Sequence, residues 1–244
     1  MTSAGAAVFV HGLIGSFSEP AALQALQPRP TSAPHLNGYG TGGTNAISIE
    51  SQVAAVREHI ESVHGQGPVH LVAHSIGAVY AFTLAARFPD LVASIVTVEG
   101  NFSLADAFWS RSLAGMPADR AESAIRTSLS DADTWLADCG IEATPLLTRR
   151  AEQALAYQSW NTVWTSARAI VEATADGAYE TMLQGVFGRI PVHLLAGEHS
   201  ASAWAVPEWA VAAAASSTTL AGVGHMMMLE QPELFGAAVA RILS

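Results

Sequence analysis

Lysine is absent from this chain of 244 residues, and all eleven basic residues are arginines. That single absence removes the P-loop lysine, the lysine of a kinase phosphate site, Schiff-base chemistry and the Ser–Lys dyad. Cysteine is nearly absent too. With Cys139 alone, the chain can build neither a disulfide framework nor a four-cysteine zinc site nor a CxxC redox motif. Positive charge is scarce, eleven arginines against twenty-one carboxylates giving a net charge of −10, and no basic run occurs. Nucleic acids and anionic membranes are therefore not expected partners. Aspartate runs out early, since none of the seven lies beyond Asp176. Long apolar runs are lacking as well. The best candidate, residues 205–215, is broken by Pro207 and Glu208 and is too short to span a bilayer. The first five residues carry no positive side chain and lead straight into a strand-like stretch. That gives no sign of a secretory leader and leads to the expectation of a cytoplasmic protein.

What is present is a core-rich composition, half apolar and only 13 % charged, as expected of an ordered globular protein. Apolar runs of strand length fall at residues 6–10, 32–36, 69–73, 92–98, 191–196 and 217–220. They are short and mostly free of charge, the pattern of a parallel sheet covered on both faces. Between them, residues 49–63, 76–88, 203–214 and 233–243 read as helices. In the first, Ile49, Val53, Val56, Ile60 and Val63 recur every three or four positions, and Gly65 supplies a stop. This alternation predicts an α/β fold with a mostly parallel sheet of about six strands flanked by helices. Residues 102–188 break it, showing only helical pattern. The expected organisation is thus a core of residues 1–101 and 189–244 with a helical cap of residues 102–188 inserted. Ser103 and Asp106 suggest a helix N-cap ahead of Phe108 and Trp109. Further on, Tyr157, Trp160 and Trp164 fall on one helix face, either as packing or as part of a pocket roof.

The chemistry concentrates in three turns. In Val69-His70-Leu71-Val72-Ala73-His74-Ser75-Ile76-Gly77-Ala78 a buried strand runs directly into a helix, with Ser75 at the joint. Small residues at 73 and 77 meet the steric demand of a nucleophile elbow, where strand and helix nearly touch. The alternative is that Ser75 merely caps the helix. A second strand ends in His11-Gly12-Leu13-Ile14-Gly15, and a third turn reads Gly222-Val223-Gly224-His225-Met226. His225 follows the two glycines of that turn and precedes the last helical stretch. His74 is expected to point away from the serine, and His11 to brace its turn. The remaining histidines show no metal-ligand spacing, so neither metal nor cofactor is expected.

With these turns in place the chain resembles the α/β-hydrolase superfamily, over about residues 8–243. The resemblance implies a Ser75 nucleophile, a His225 base, and oxyanion donors at the backbone N–H groups of Leu13 and Ile76. It also shows departures: Ala73 stands where the family's elbow carries glycine, and the usual pair of strands ahead of the His-Gly strand is missing. The family's Asp-x-x-Gly-x-Gly turn begins here with His35. Its usual acid, after the strand before the last, is Ser200, and no aspartate follows that could substitute. Two carboxylates compete for the role. Glu198 lies in that turn but two positions early, whereas Glu99 ends the strand after the nucleophile's. The resemblance allows that second placement, since haloalkane dehalogenases and zearalenone-type lactonases put the acid there. Glu99 is the preferred candidate, with Glu198 as the alternative and a purely anchoring role for Glu99 left open.

The expected activity is hydrolysis of a carboxylic ester or lactone of a moderately apolar small molecule through a Ser-His-Glu triad and an acyl-enzyme. C–C bond hydrolysis or perhydrolysis could use the same site, and a ligand-binding sensor with little turnover is the alternative of another class. A serine nucleophile argues against dehalogenase or epoxide hydrolase chemistry, for which the resemblance requires an aspartate. Phe102, Phe108, Trp109, Trp135, Trp160 and Trp164 offer an aromatic cap; of these Phe102, Trp109, Trp160 and Trp164, with Met226, are the candidate substrate contacts.

Overall fold

The computed structural model describes residues 5–17, 19–43, 46–65 and 67–244. Six parallel strands form one sheet in the order β2-β1-β3-β4-β5-β6. They are β1 (Ala7–Val10), β2 (Thr31–Ser32), β3 (Val69–His74), β4 (Val92–Val98), β5 (Val192–Gly197) and β6 (Ser216–Leu220). The central strands are buried almost throughout, as their uninterrupted apolar runs require. All the strands point the same way, so their carboxyl ends, where Ser75, Glu99 and the turn after β5 lie, share one edge of the sheet.

Helices α1 (Pro20–Gln24), α2 (Ile49–His64) and α3 (Gly77–Arg87) precede β4. Ser48 and Ser51 close a capping box at the start of α2, each side chain accepting from the other residue's backbone N–H, and Gly65 ends the helix at φ +75°. Between β4 and β5 come α4 (Phe108–Ala114), α5 (Ala118–Leu129), α6 (Ala132–Asp138), α7 (Pro145–Leu155), α8 (Trp160–Ala173) and α9 (Gly177–Phe187). The chain closes with α10 (Glu208–Ala213), α11 (Met227–Glu230) and α12 (Pro232–Ile242). The helices α2 and α9 pack on α3, and α1 packs on α12, flanking the sheet. No described helix is long and apolar enough to cross a membrane.

Several local expectations are corrected. The strand expected at residues 32–36 pairs only at Thr31 and Ser32, because Pro34 has no N–H to continue the ladder. The helix expected from residue 203 begins at Glu208, after a 3-10 turn at Ala201–Ala203, since Pro207 disfavours helical backbone before it. Ser103 does not cap α4, which starts at Phe108 behind Ala107 with no side-chain cap. The Asp106 carboxylate instead collects the backbone N–H groups of Phe102, Ser103 and Ala205. Tyr157 does not share a helix with Trp160, because Ser159 caps α8 between them by accepting from Thr162 N–H. Within the segment expected as the cap, α9 packs on α3, while α4 and α5 pack on α8, and α6 on α7.

Candidate active site

Ser75 is half-buried at the joint of β3 and α3, in a left-handed conformation with φ +51°. Its N–H donates to Val98 O of β4 at 3.0 Å, and Ala78 N–H donates to Ser75 O at 3.0 Å. The turn closes only because residue 77 is glycine. A Cβ there would lie 2.5 Å from His11 O and 2.6 Å from Val10 O. Positive φ at a serine is unfavourable and persists only where the surroundings impose it.

The neighbouring turn after β1 is held from several sides. His11 is buried, its Nδ1–H donating to Gly12 O at 2.8 Å and its ring set edge-on against Tyr39 and Tyr157. Burial lowers its pKa to about 4, partly offset by the Gly12 bond, with the charge of His35 lowering it further. The Tyr39 hydroxyl lies 3.3 Å from Leu13 O and 3.2 Å from Ser166 Oγ. Gly15 N–H donates to Oε1 of the buried Gln158 at 2.8 Å, and Gln158 Nε2 donates to Ala154 O and Leu155 O. Among the described residues, neither Leu13 N–H nor Ile76 N–H donates to a protein acceptor.

His225 lies on the loop after β6, between Gly224, whose N–H donates to Glu230 Oε2 at 3.0 Å, and Met226. Its Nδ1 is 2.7 Å from Oε2 of Glu99, which is buried at the end of β4 with φ +44°. The other Glu99 oxygen, Oε1, accepts from Gly197 N–H at 2.8 Å and from Ser200 Oγ at 2.5 Å. Burial is the largest single influence on Glu99 and favours protonation. The hydrogen bond and charge of His225, then the Ser200 hydroxyl and the Gly197 N–H, outweigh it and hold the carboxyl below its usual range. Glu198 is turned elsewhere and accepts from Gly222 N–H at 2.8 Å, tethering the start of the histidine loop.

His74 contradicts its expectation. Strand alternation would turn it away, but the positive-φ turn at Ser75 ends the alternation there. Its Nε2–H donates to His225 O at 3.1 Å, its ring centre lies 4.5 Å from that of His225, and it lines the same cavity. Burial first, then the nearby His225, depress its pKa well below the usual value, leaving a neutral ring that holds the His225 backbone.

Ser75, His225, Glu99, Leu13 and Ile76 all border one cavity of about 510 Å³. Of the aromatic candidates, Trp109 on α4 and Trp135 on α6 line it, and so does Met226. Phe102, Trp160 and Trp164 do not. Phe102 is buried behind the cavity among Phe82, Phe187 and Trp204, within about 6 Å of each ring centre. Trp160 and Trp164 lean on each other on α8, with the Arg168 guanidinium 5.0 Å from the Trp164 ring. The Phe108 side chain lies outside the described residues. The pattern missed Trp204, a third tryptophan on the cavity, fixed by its Nε1–H donating to Gly100 O at 2.8 Å. It also missed the Ser200 hydroxyl as a donor to Glu99. Neither carries a periodic signal. No arginine lines the cavity, and among the described residues no group of three His, Cys, Asp or Glu side chains could hold a metal ion.

Comparison with known proteins places this geometry in context. The model of the alpha/beta hydrolase family matches residues 7–238. Lipase LipV of Mycobacterium tuberculosis (strain ATCC 25618 / H37Rv) is 38 % identical over 76 residues, 31 % of this chain and 29 % of that protein. The match therefore spans less than a third of that relative's length. Among solved structures, a haloalkane dehalogenase from Bradyrhizobium elkani USDA94 superposes with a TM-score of 0.72 at 20 % identity, covering 100 % of this chain and 91 % of the other. A thermophilic esterase from Thermogutta terrifontis superposes with a TM-score of 0.68 at 17 % identity, covering 98 % and 90 %.

Proposed function

The chain belongs to the alpha/beta hydrolase family, and from that premise we propose that it is a serine hydrolase cleaving an uncharged, moderately apolar ester or lactone. The observation that carries the reading is the 2.7 Å contact between His225 Nδ1 and a buried Glu99 carboxylate, on the same cavity as a serine in a strained turn. In this reading Ser75 Oγ attacks the substrate carbonyl. His225 Nε2 takes the proton and later returns it to the leaving group. Glu99 fixes the tautomer with the proton on Nδ1 and stabilises the imidazolium that forms. The Ser75 hydroxyl makes no hydrogen bond with a described residue, and in this reading its contact with the imidazole forms when substrate is bound.

The N–H groups of Leu13 and Ile76, with no protein acceptor among the described residues, serve the oxyanion, each worth roughly 3–4 kcal/mol of barrier. Water then cleaves the acyl-enzyme. Helices α4 to α8 act as the cap. Three tryptophans and the lack of any arginine in the lining favour apolar over anionic substrates. The dehalogenase-like neighbour shares the fold but not the chemistry in this reading, because a serine stands at the nucleophile position.

The test is fluorophosphonate labelling together with a panel of aryl esters and lactones graded by acyl size. Wild type should label and turn over, and Ser75→Ala should do neither. A wild-type chain that fails to label and hydrolyses nothing would overturn the proposal.

A further inference from the structure

The carboxylate of Glu99 divides its two oxygens between two tasks. Oε2 faces His225, while Oε1 is taken up by the turn that follows β5. That turn is compact, with Ser200 N–H donating to Gly197 O at 3.2 Å. It presents two donors to one oxygen, the backbone N–H of Gly197 at 2.8 Å and the hydroxyl of Ser200 at 2.5 Å. The hydroxyl has another acceptor in reach, Gly197 O, but at 3.4 Å it is the weaker partner, and the anionic oxygen takes the proton.

Glutamate needs this more than aspartate would. It has an additional rotatable bond, so a buried glutamate has more side-chain freedom to lose before its oxygen stays on the imidazole. Its backbone is also pinned, since Glu99 N–H donates to Leu195 O at 3.0 Å. With main chain and Oε1 both anchored, Oε2 has one place to go.

We propose that Ser200 is a positioning residue that clamps Glu99 Oε1 and thereby holds Oε2 on His225. The inference rests on the reading of Glu99 as the triad acid and deepens it. The position in the β5 turn still contributes to the acid's work, as a hydroxyl donor in place of a carboxylate. Each donor on Oε1 also favours the ionised form, which the imidazolium requires as its partner.

The experiment is a double-mutant cycle on kcat with an activated aryl ester, with folding of each variant checked by circular dichroism and thermal melting. Loss of a hydrogen bond to a carboxylate predicts that Ser200→Ala lowers kcat by about ten- to a hundredfold with KM changed by less than about threefold. Ser200→Thr, which keeps the hydroxyl, should recover most of that loss. In a Glu99→Ala background Ser200→Ala should change kcat by less than about twofold, because nothing remains to be clamped. Glu99→Leu, which keeps most of the volume but offers no acceptor, is the second background should the alanine variant fail to fold. An undiminished effect of Ser200→Ala in both backgrounds, or no effect in wild type, would overturn the clamp while leaving Glu99 as the acid. If Glu99→Ala and Glu99→Leu themselves leave kcat unchanged, the acid assignment fails and the clamp falls with it.

Discussion

Acidification from pH 7.5 to pH 4.5 is expected to cost the folded protein about 2.5 kcal/mol at His11 alone. His11 is 2 % exposed, and burial lowers its pKa from 6.5 to about 4. The unfolded chain takes up a proton near pH 6.5, whereas the folded one resists until about pH 4. Between those values the unfolded state binds more protons, so stability rises with pH across that window and is lost as pH falls through it. A gap of about 2.5 pH units at about 1.4 kcal/mol each gives about 3.5 kcal/mol in full, most of it gone by pH 4.5. His74, depressed in the same direction, adds to the slope. The assay is urea denaturation at pH 7.5, 6.0 and 4.5 on wild type and His11→Asn, whose amide can replace the Nδ1–H bond to Gly12 O. Wild type should lose stability steadily below about pH 6.5, and the variant should lose about 2.5 kcal/mol less over the same range. An unchanged pH slope in a folded His11→Asn protein would refute the reasoning, since it would place the acid-sensitive groups elsewhere. The functional consequence is direct, because His11 braces the turn that carries Leu13.

The two glutamates should separate cleanly. Glu99→Gln is expected to lower kcat by about 10³–10⁴-fold with little change in KM, by disfavouring the Nδ1–H tautomer of His225. Glu198→Gln, which weakens only a tether to Gly222 N–H, should stay within about threefold; similar small losses from both in steady-state assays would show that neither is the triad acid. Trp109→Ala and Trp135→Ala, both on the cavity, should lower kcat/KM about tenfold more for a bulky apolar ester than for an acetate ester of the same alcohol. Trp160→Ala and Trp164→Ala should leave that ratio unchanged, and a shift of equal size from these would put the roof in the wrong place.

The strand-to-helix joint at Ser75 was legible because its requirements are local. A buried apolar run, small residues at 73 and 77 and a helix behind them leave few other structures, and a Cβ at residue 77 would strike His11 O and Val10 O. The loop of His225 was legible for a similar reason, its glycines flanking the one histidine ahead of the last helices. The roof was not. Which tryptophan faces the cavity depends on how α4, α6 and α8 cross, and helical periodicity marks an apolar face without saying what covers it. Trp160 and Trp164 form as regular a stripe as any in the chain, yet the rings on the cavity are Trp109, Trp135 and Trp204. Trp204 was hidden further by lying in a stretch that reads as helix until Pro207 is given its full weight. His74 failed for yet another reason, since alternation holds only while the strand continues, and the strand ends at that residue.

The choice between Glu99 and Glu198 draws on a backbone feature that no composition or spacing contains. Among the described residues, two non-glycine positions adopt positive φ, Ser75 at +51° and Glu99 at +44°. They occupy equivalent places, each immediately after a strand, and the strands are neighbours in which His74 pairs with Val98. Ser75 N–H reaches across to Val98 O, and Glu99 N–H to Leu195 O on the next strand, so the same kink recurs one strand along the sheet. Left-handed backbone at a serine or a glutamate costs on the order of 1–3 kcal/mol and survives only where packing over-determines it. The inference runs from the outlier to the role. Two such costs placed side by side at the carboxyl edge, with the imidazole of His225 2.7 Å from one of the side chains, have a physical rationale if both side chains must face the same cavity. Glu198 shows no such strain: its N–H donates to Leu220 O in ordinary continuation of the sheet, and its carboxylate serves the loop next to it.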